Sequence, residues 1–307
     1  MTNKRRILKT GALAIVVTIA FASFVFRVEE WTKALRSDFV VYGQVMTTTP
    51  GGGTGGGGGT TPTTTVTKIL PQIAVGSFDG NLTKYATVIQ IVNTNSNSVT
   101  VKGNFYKQID GNLSDLTYTT NRGVSVTAGV LNETILPGNS SLVITGSLPT
   151  TTQATYKGNW AKIQATGSVT IASFFEIRDV ATNVLYSRVG ISASPVMSKF
   201  AIPRVRNVAA GLDVGYAIAN MGPSTATITA TLRDAIGVQI GSPKTISLDP
   251  GIQKADFIGS LFGLSETGAT TTYSYVTFDG GSSAQLGAIA VSFEGASQTS
   301  FPVDQLQ

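Results

Sequence analysis

Two glutamates, Glu176 and Glu294, each follow a phenylalanine at the end of an apolar, β-branched run. Paired carboxylates hydrolyse glycosides when they face one another about 5 to 10 Å apart across one cleft. Here the surrounding text recurs with the glutamates, so each is expected to close its own strand or to pair with an arginine such as Arg178. Asp110-Gly-Asn112 and Asp79-Gly-Asn81 carry oxygens of the kind Ca²⁺ takes, yet neither runs on into spaced acids with a terminal Glu. Asp-Gly is a hairpin signal, so both are expected to be turns, and neither a metal site nor a cofactor is expected. The best binding candidates are aromatic. Trp160 aligns with Tyr273, and Tyr275 follows on the same alternating face. The opposite face, Ala161-Ile163-Ala165 and Ser274-Val276-Phe278, suits a core. Trp160, Tyr273 and Tyr275 are therefore candidates for stacking on a glycan or a protein surface. Cross-strand packing or a contact between modules is the structural alternative.

The chain contains no Cys and no His. That excludes disulfides, thiol nucleophiles, imidazole metal ligands and a Ser-His-Asp triad. With no convergent pair of acids either, an enzyme is not expected. Charged residues make up 13% of the 307 residues, about half the usual share. The formal charge of +5 is concentrated at one end: Lys4, Arg5, Arg6 and Lys9 are four of the 22 cations. Beyond Ala22 the balance is 18 cations against 17 acids, which is not the footprint of a nucleic-acid binder.

Those basic residues precede an apolar run from Ala12 to Ala22, and Ala20-Phe-Ala22 places small residues at −3 and −1 of a cleavage before Ser23. Residues 1–22 are thus expected to be an export signal, with a membrane-anchor helix over 1–41 as the alternative. Phe24, Val28, Trp31 and Leu35 recur at helical spacing and support a helix continuous with the leader. Residues 47–68 are Thr, Gly and Pro apart from Val66 and Lys68, without apolar periodicity, and predict a disordered tether.

From Ile69 the text turns strand-like. Tyr85–Val92, Val99–Phe105 and Val169–Phe175 alternate and are rich in β-branched and aromatic residues, with turn signals between them. The one short helical candidate is Ile252 to Leu264. The text then repeats. Ile89–Asn93 matches Tyr216–Asn220, Thr100-Val101 matches Thr227-Ile228, Pro137-Gly138 matches Pro250-Gly251, Trp160 matches Tyr273, and Phe175-Glu176 matches Phe293-Glu294. Side-chain hydrogen bonding of Asn93 and Asn220 to turn backbone would explain both asparagines. Arg204 and Arg206 are expected on a solvated edge.

The fold expected is all-β: two tandem antiparallel β-sandwich (Ig-like) modules, 69–195 and 196–307, after the hydrophobic helix and linker. They are expected to touch, or to share a strand around Lys199 to Val205. Leu113 to Glu133 is an insertion in the first. The strand ending in Asn, the Leu-x-Pro-Gly turn and Lys254–Phe262 resemble a repeated β-sandwich module of exported bacterial proteins. The resemblance implies architecture alone. The function expected is a non-enzymatic, exported or surface-tethered structural or adhesion-like protein, outside the cell. Its partner would be an extracellular glycan or protein surface, with no nucleic acid, and the membrane touched only by the N-terminal segment if that segment is uncleaved. The alternatives are a carbohydrate-binding module pair or a surface filament subunit.

Overall fold

Alternating apolar and polar residues in runs of five to eleven, broken by Gly, Asn and Pro, leave the chain little choice but antiparallel sheet. A computed structural model describes residues 65–77, 83–147, 157–264, 267–294, 297–301 and 303–306. The leader with its Ala20/Ala22/Ser23 cleavage signal, the helix expected over 24–41, the spacer to 64 and the Asp79-Gly-Asn81 turn lie outside the described residues.

The first ten strands are β1 (Val66–Val75), β2 (Thr83–Asn93), β3 (Val99–Lys107), β4 (Thr117–Thr120), β5 (Val126–Thr127), β6 (Val130–Leu136), β7 (Ser140–Ser147), β8 (Lys157–Ala165), β9 (Thr170–Asp179) and β10 (Leu185–Ser192). The remainder are β11 (Lys199–Arg206), β12 (Leu212–Asn220), β13 (Ala226–Asp234), β14 (Lys244–Leu248), β15 (Gln253–Phe257), a one-turn helix α1 (Ile258–Phe262), β16 (Thr272–Asp279), β17 (Leu286–Glu294), β18 (Ser297–Phe301) and β19 (Asp304–Gln305). The protein is all-β, and every strand pair is antiparallel.

Strands β1–β10 make one ten-stranded sheet in the order β1-β8-β3-β6-β5-β4-β7-β2-β9-β10. It folds over so that β1, β8 and β3 on one side and β7 and β2 on the other bury side chains in one core, built from Leu70, Ile73, Ile89, Ile91, Val101, Phe105, Leu142 and Ile163. Strands β11–β19 make two sheets, β14-β13-β16-β11-β19 and β15-β12-β17-β18. These enclose a second core around Phe200, Ile202, Tyr216, Ile218, Ile228, Leu232, Val276 and Phe278. The order β1-β8-β3-β6 reappears as β11-β16-β13-β14, and β7-β2-β9-β10 as β15-β12-β17-β18. The added pieces in the first half are β4 and β5. They come from the expected insertion, Leu113 to Glu133, and they splice two sheets into one.

Three expectations are corrected. The range expected as a tether, 47–68, does not reach Lys68, because Val66, Thr67 and Lys68 pair with Ala165, Gln164 and Ile163. The segment Ile252 to Leu264 is helical only at Ile258–Phe262, since Gln253–Phe257 pair with β12 as a strand. Strand β11, Lys199–Arg206, is not shared, as it pairs with β16 and β19 alone.

Residues Thr63–Gln307 form one compact unit, which a third apolar cluster explains. Ala74, Phe175, Val189 and Ile191 from the first half pack against Ala217, Ile289 and Val291 from the second. Beside them, Ile69 and Trp160 meet Ala219. Strands β12 and β17 are consequently buried on both faces. On β12 the large residues Val214, Tyr216 and Ile218 point into the second core. The small ones between them, such as Ala217 and Ala219, point at the first half, as Gly287, Ile289 and Val291 of β17 do. The approach is close: a Cβ on Gly287 would lie 2.5 Å from Ile69. Hydrogen bonds tie the rim. Gln253 Nε2 donates to the Pro71 carbonyl (3.0 Å) and to Gln72 Oε1, Ala288 N donates to Ser194 Oγ (3.1 Å), and Ser300 Oγ donates to the Gly190 carbonyl (2.6 Å).

Candidate functional site

Strand β13 reads Ala226-Thr-Ile-Thr-Ala-Thr-Leu-Arg233. Ala226, Ile228, Ala230 and Leu232 are buried, so period-two geometry turns Thr227, Thr229, Thr231 and Arg233 outward. Neighbouring strands extend the hydroxyl rows: Thr227 stands opposite Ser247, Thr229 between Thr245 and Asp279, and Thr231 opposite Thr277. Lys199 from β11 and the Gly280-Gly281 turn complete a shallow groove of about 490 Å³. Arg233 lies opposite Tyr275, and Tyr273 on the same face is 65% exposed.

The charges here are already engaged. Asp279 Oδ1 accepts from Gly281 N (2.9 Å), and Lys199 Nζ stands 3.4 Å from Oδ2. The Gly281 amide holds the Asp279 carboxyl below its ordinary value, with Lys199 adding to it against the opposing effect of burial. Arg233 Nη1 donates to the Gly237 carbonyl (3.0 Å). Threonines beside a carboxylate held in its charged form have no base of suitable strength to activate them. What the face can do is exchange hydrogen bonds with many hydroxyls or amides at once, beside an exposed aromatic ring.

Trp160 is elsewhere. It is 1% exposed, stacks on Tyr106 at a ring-centroid distance of 4.4 Å, and donates from Nε1 to the Gly251 carbonyl at 2.7 Å. It therefore seals the junction between the halves. The stacking surface expected of Trp160, Tyr273 and Tyr275 together does not form; the two tyrosines share the outer face of the second half without the tryptophan. The strand register explains the difference. Tyr106 faces Trp160 in the β3–β8 ladder, and its counterpart on β13, Arg233, faces Tyr275. Trp160 thus corresponds to Tyr275, two residues past the match made by counting along the text.

Glu176 and Glu294 do not converge. Glu176 lies opposite Ala86 and Arg188, Glu294 opposite Leu212 and Ser297. Their registers differ by one residue, because the partner of Asp213, the counterpart of Ala86, is Phe293. Glu176 is buried and accepts from Arg178 Nε (2.8 Å) and from Arg188 Nε (3.0 Å). Burial pushes its carboxyl up, and the two guanidiniums outweigh that push, so the group is held below its ordinary range. It is an ion-paired strand residue rather than a general acid.

At Asp110, Oδ1 accepts from Asn112 N (3.0 Å) and Oδ2 meets Lys107 Nζ (3.0 Å), which makes a closed turn. Among the described residues no group of three acids could hold a metal ion. The solvated Arg204–Arg206 edge is also corrected. Arg204 is 2% exposed because alternation sets it on the core side with Ile202, and Asp213 lies 3.7 Å from both arginines. Asn93 and Asn220 are fully buried strand ends. Asn93 Nδ2 donates to the carbonyls of Asn97, Leu136 and Pro137, and Asn220 Nδ2 to those of Ser224 and Leu248. Their Oδ1 atoms accept from the amides of Asn95 and Gly222. The signal that sequence reasoning passed over is the Thr-x-Thr-x-Thr of β13.

Comparison with family models, with curated proteins and with solved structures found no match to this chain. Among the described residues, no helix is long and apolar enough to cross a membrane.

Proposed function

We propose that this is an exported, non-enzymatic surface protein: two tandem β-sandwich (Ig-like) modules carried on an N-terminal leader and a Thr/Gly spacer. Its role is adhesion-like, with the outer face of β13, β16 and β11 presented to an extracellular glycan or protein surface. The observation that carries the reading is the open row of Thr227, Thr229, Thr231 and Thr277 beside exposed Tyr273. A flat, hydroxyl-rich face with a projecting ring suits a broad polyhydroxylated surface better than a small molecule in a cleft. The leader supplies export, and the spacer of about 20 residues would hold the head roughly 25 Å from its anchor.

The carbohydrate-binding alternative is narrowed to the second half, since Trp160 is occupied by the junction. The test is retention of the secreted protein on cell surfaces and on arrayed polysaccharides. Thr229→Lys together with Thr277→Lys fills the groove without touching the core. Retention should fall at least about tenfold, or 1.4 kcal/mol. Retention unchanged by the double variant would overturn the assignment of this face.

A further inference from the structure

The hairpin that joins β13 to β14 reads Ala235-Ile-Gly-Val-Gln-Ile-Gly241 and holds no charged residue. Three aliphatic side chains at alternate positions project from it: Ile236 is 85% exposed, Val238 58% and Ile240 38%. None belongs to any of the apolar clusters. One exposed isoleucine is ordinary, whereas a group of aliphatics marks an interaction site. The counterpart turn of the first half shows the ordinary case. Ile109 stands three residues past Tyr106, as Ile236 stands three past Arg233, and is as exposed as Ile236. Lys107 and Asp110 pair beside it at 3.0 Å, and Gly111 packs on the Pro250-Gly251 turn of the second half. The β13–β14 hairpin groups three aliphatics where the first half has one, and a Cβ on its Gly241 would meet nothing within 4 Å.

The backbone of this hairpin is bonded from within. Asp234 Oδ1 accepts from the amides of Ile236 (3.0 Å) and Val238 (2.8 Å), and the Asp234 carbonyl accepts from Gly237 N (3.1 Å). Asp234 N donates to the Val238 carbonyl (2.9 Å), and Ile240 N to the Leu232 carbonyl (2.8 Å). Two side chains close further carbonyls: Arg233 Nη1 donates to that of Gly237 (3.0 Å), and Gln239 Nε2 to that of Gly241 (2.9 Å). A tip whose polar backbone is occupied internally, and whose side chains radiate as hydrocarbon, can leave water without stranding hydrogen bonds. Rings and cations stand at its base. The Tyr275 hydroxyl lies 3.7 Å from where a Gly237 Cβ would be, and exposed Tyr273 adjoins Ser274, the partner of Asp234. Arg233 precedes the hairpin and Lys244 opens the strand after it. The carboxylate among them, Asp234, is turned onto two amides. Tyrosine and basic side chains at the foot of an apolar tip are the composition suited to a lipid–water interface.

We propose that the β13–β14 hairpin docks on a lipid bilayer. Ile236, Val238 and Ile240 enter the boundary between headgroups and acyl chains, and Lys244, with Arg233 behind it, faces anionic headgroups. A protein partner would need a socket shaped to a projecting hairpin; a bilayer receives radiating side chains without one. This contact belongs to the folded part of the chain and is separate from the N-terminal segment. It rests neither on the two-module reading nor on the threonine face.

The chain has no Cys, so a single introduced thiol takes a single environment-sensitive label. Val238→Cys places the label on the tip, and Ile135→Cys places it on an exposed position of the first half as a reference. The labelled secreted protein is titrated with vesicles of phosphatidylcholine and phosphatidylglycerol, with and without brominated acyl chains. The label at 238 should shift to shorter wavelength and be quenched by bromine; the label at 135 should do neither. Adding Ile236→Ser with Ile240→Ser keeps the charge and should raise the lipid needed for half of the response at 238 at least about tenfold. Both positions lie outside the cores, and thermal melting of the variant checks that it folds. No response at 238, an equal response at 135, or a response untouched by the serines overturns the proposal. Self-association seen by sedimentation velocity without vesicles, and lost in the serine variant, would assign the tip to a second copy and overturn it as well. Retention on polysaccharides should be unchanged by the serine pair, so the lipid contact and the proposed function stand or fall separately.

Discussion

Trp160 and Tyr275 occupy the same place in two copies of one strand order, and they live in opposite surroundings. The tryptophan is sealed under the Gly251 turn, while its counterpart stands on an open face beside an exposed Tyr273. Position in a repeated framework sets where a side chain points; what docks on that position sets what it does. The same contrast runs through the two halves as wholes. The first is spliced into one sheet by β4 and β5, while the second keeps two sheets and leaves β14 and β15 without a further partner strand among the described residues.

The comparison breaks most visibly at the aromatic pair itself. Trp160→Ala removes a fully buried ring and its hydrogen bond and should cost about 3 to 5 kcal/mol. Tyr273→Ala should stay within about 0.5 kcal/mol, as exposed substitutions do. Urea melts of the two variants check this, and equal costs would mean that the burial contrast does not hold in solution. Next in size are the strand-ending asparagines. Asn93→Ala and Asn220→Ala each remove a fully buried amide with its bonds to a buried carbonyl, to part-buried carbonyls and to a turn amide, and each should cost about 3 kcal/mol. The comparison predicts similar losses, and thermal unfolding of both variants measures them. A large loss at one and none at the other would show that the constellation is structural in one half alone.

The smallest effect is electrostatic and belongs to the first half, since the counterpart of Glu176 is the uncharged Phe293. The folded carboxyl of Glu176 sits below its unfolded value of about 4.3. Its contribution is therefore complete above that pH and is lost as pH falls through the lower, folded value. Glu176→Gln should cost about 1 to 2 kcal/mol at pH 7, and the gap to wild type should narrow below about pH 4. A gap that stays constant down to pH 3 would remove the ion pair from the account.

Much of the strand content was legible. The alternating runs Tyr85–Val92, Val99–Phe105 and Val169–Phe175 fall within or across β2, β3 and β9, because period-two polarity is the signature of a half-buried sheet. Register was not legible. Text matching put Glu176 on Glu294 and Trp160 on Tyr273, but loops of unequal length slide adjacent strands by one or two residues without leaving a mark in the letters. A slip of one exchanges the faces of a strand. The helix expected over 252–264 failed at its first half, where Gln253–Phe257 found a ladder partner in β12, and tertiary pairing overrode local spacing. The threonine face was written plainly in β13, but hydroxyls alternating with core residues read as ordinary strand until the neighbours Thr277, Asp279 and Lys199 are set beside them.

Strand β12 encodes its two faces by size. Gly215, Ala217 and Ala219 alternate with Val214, Tyr216 and Ile218, and both sets are buried. A strand of this kind belongs to the second core and to the junction clusters at once, so it couples the two. Any fluctuation that opens β12 must expose the junction and the second core together, which places that opening toward the costly end of the local openings of the unit. The cost of freedom at this strand is paid in evolutionary room: a substitution must suit two partners on opposite sides, and each small residue exchanged for a larger one works as a wedge between the halves.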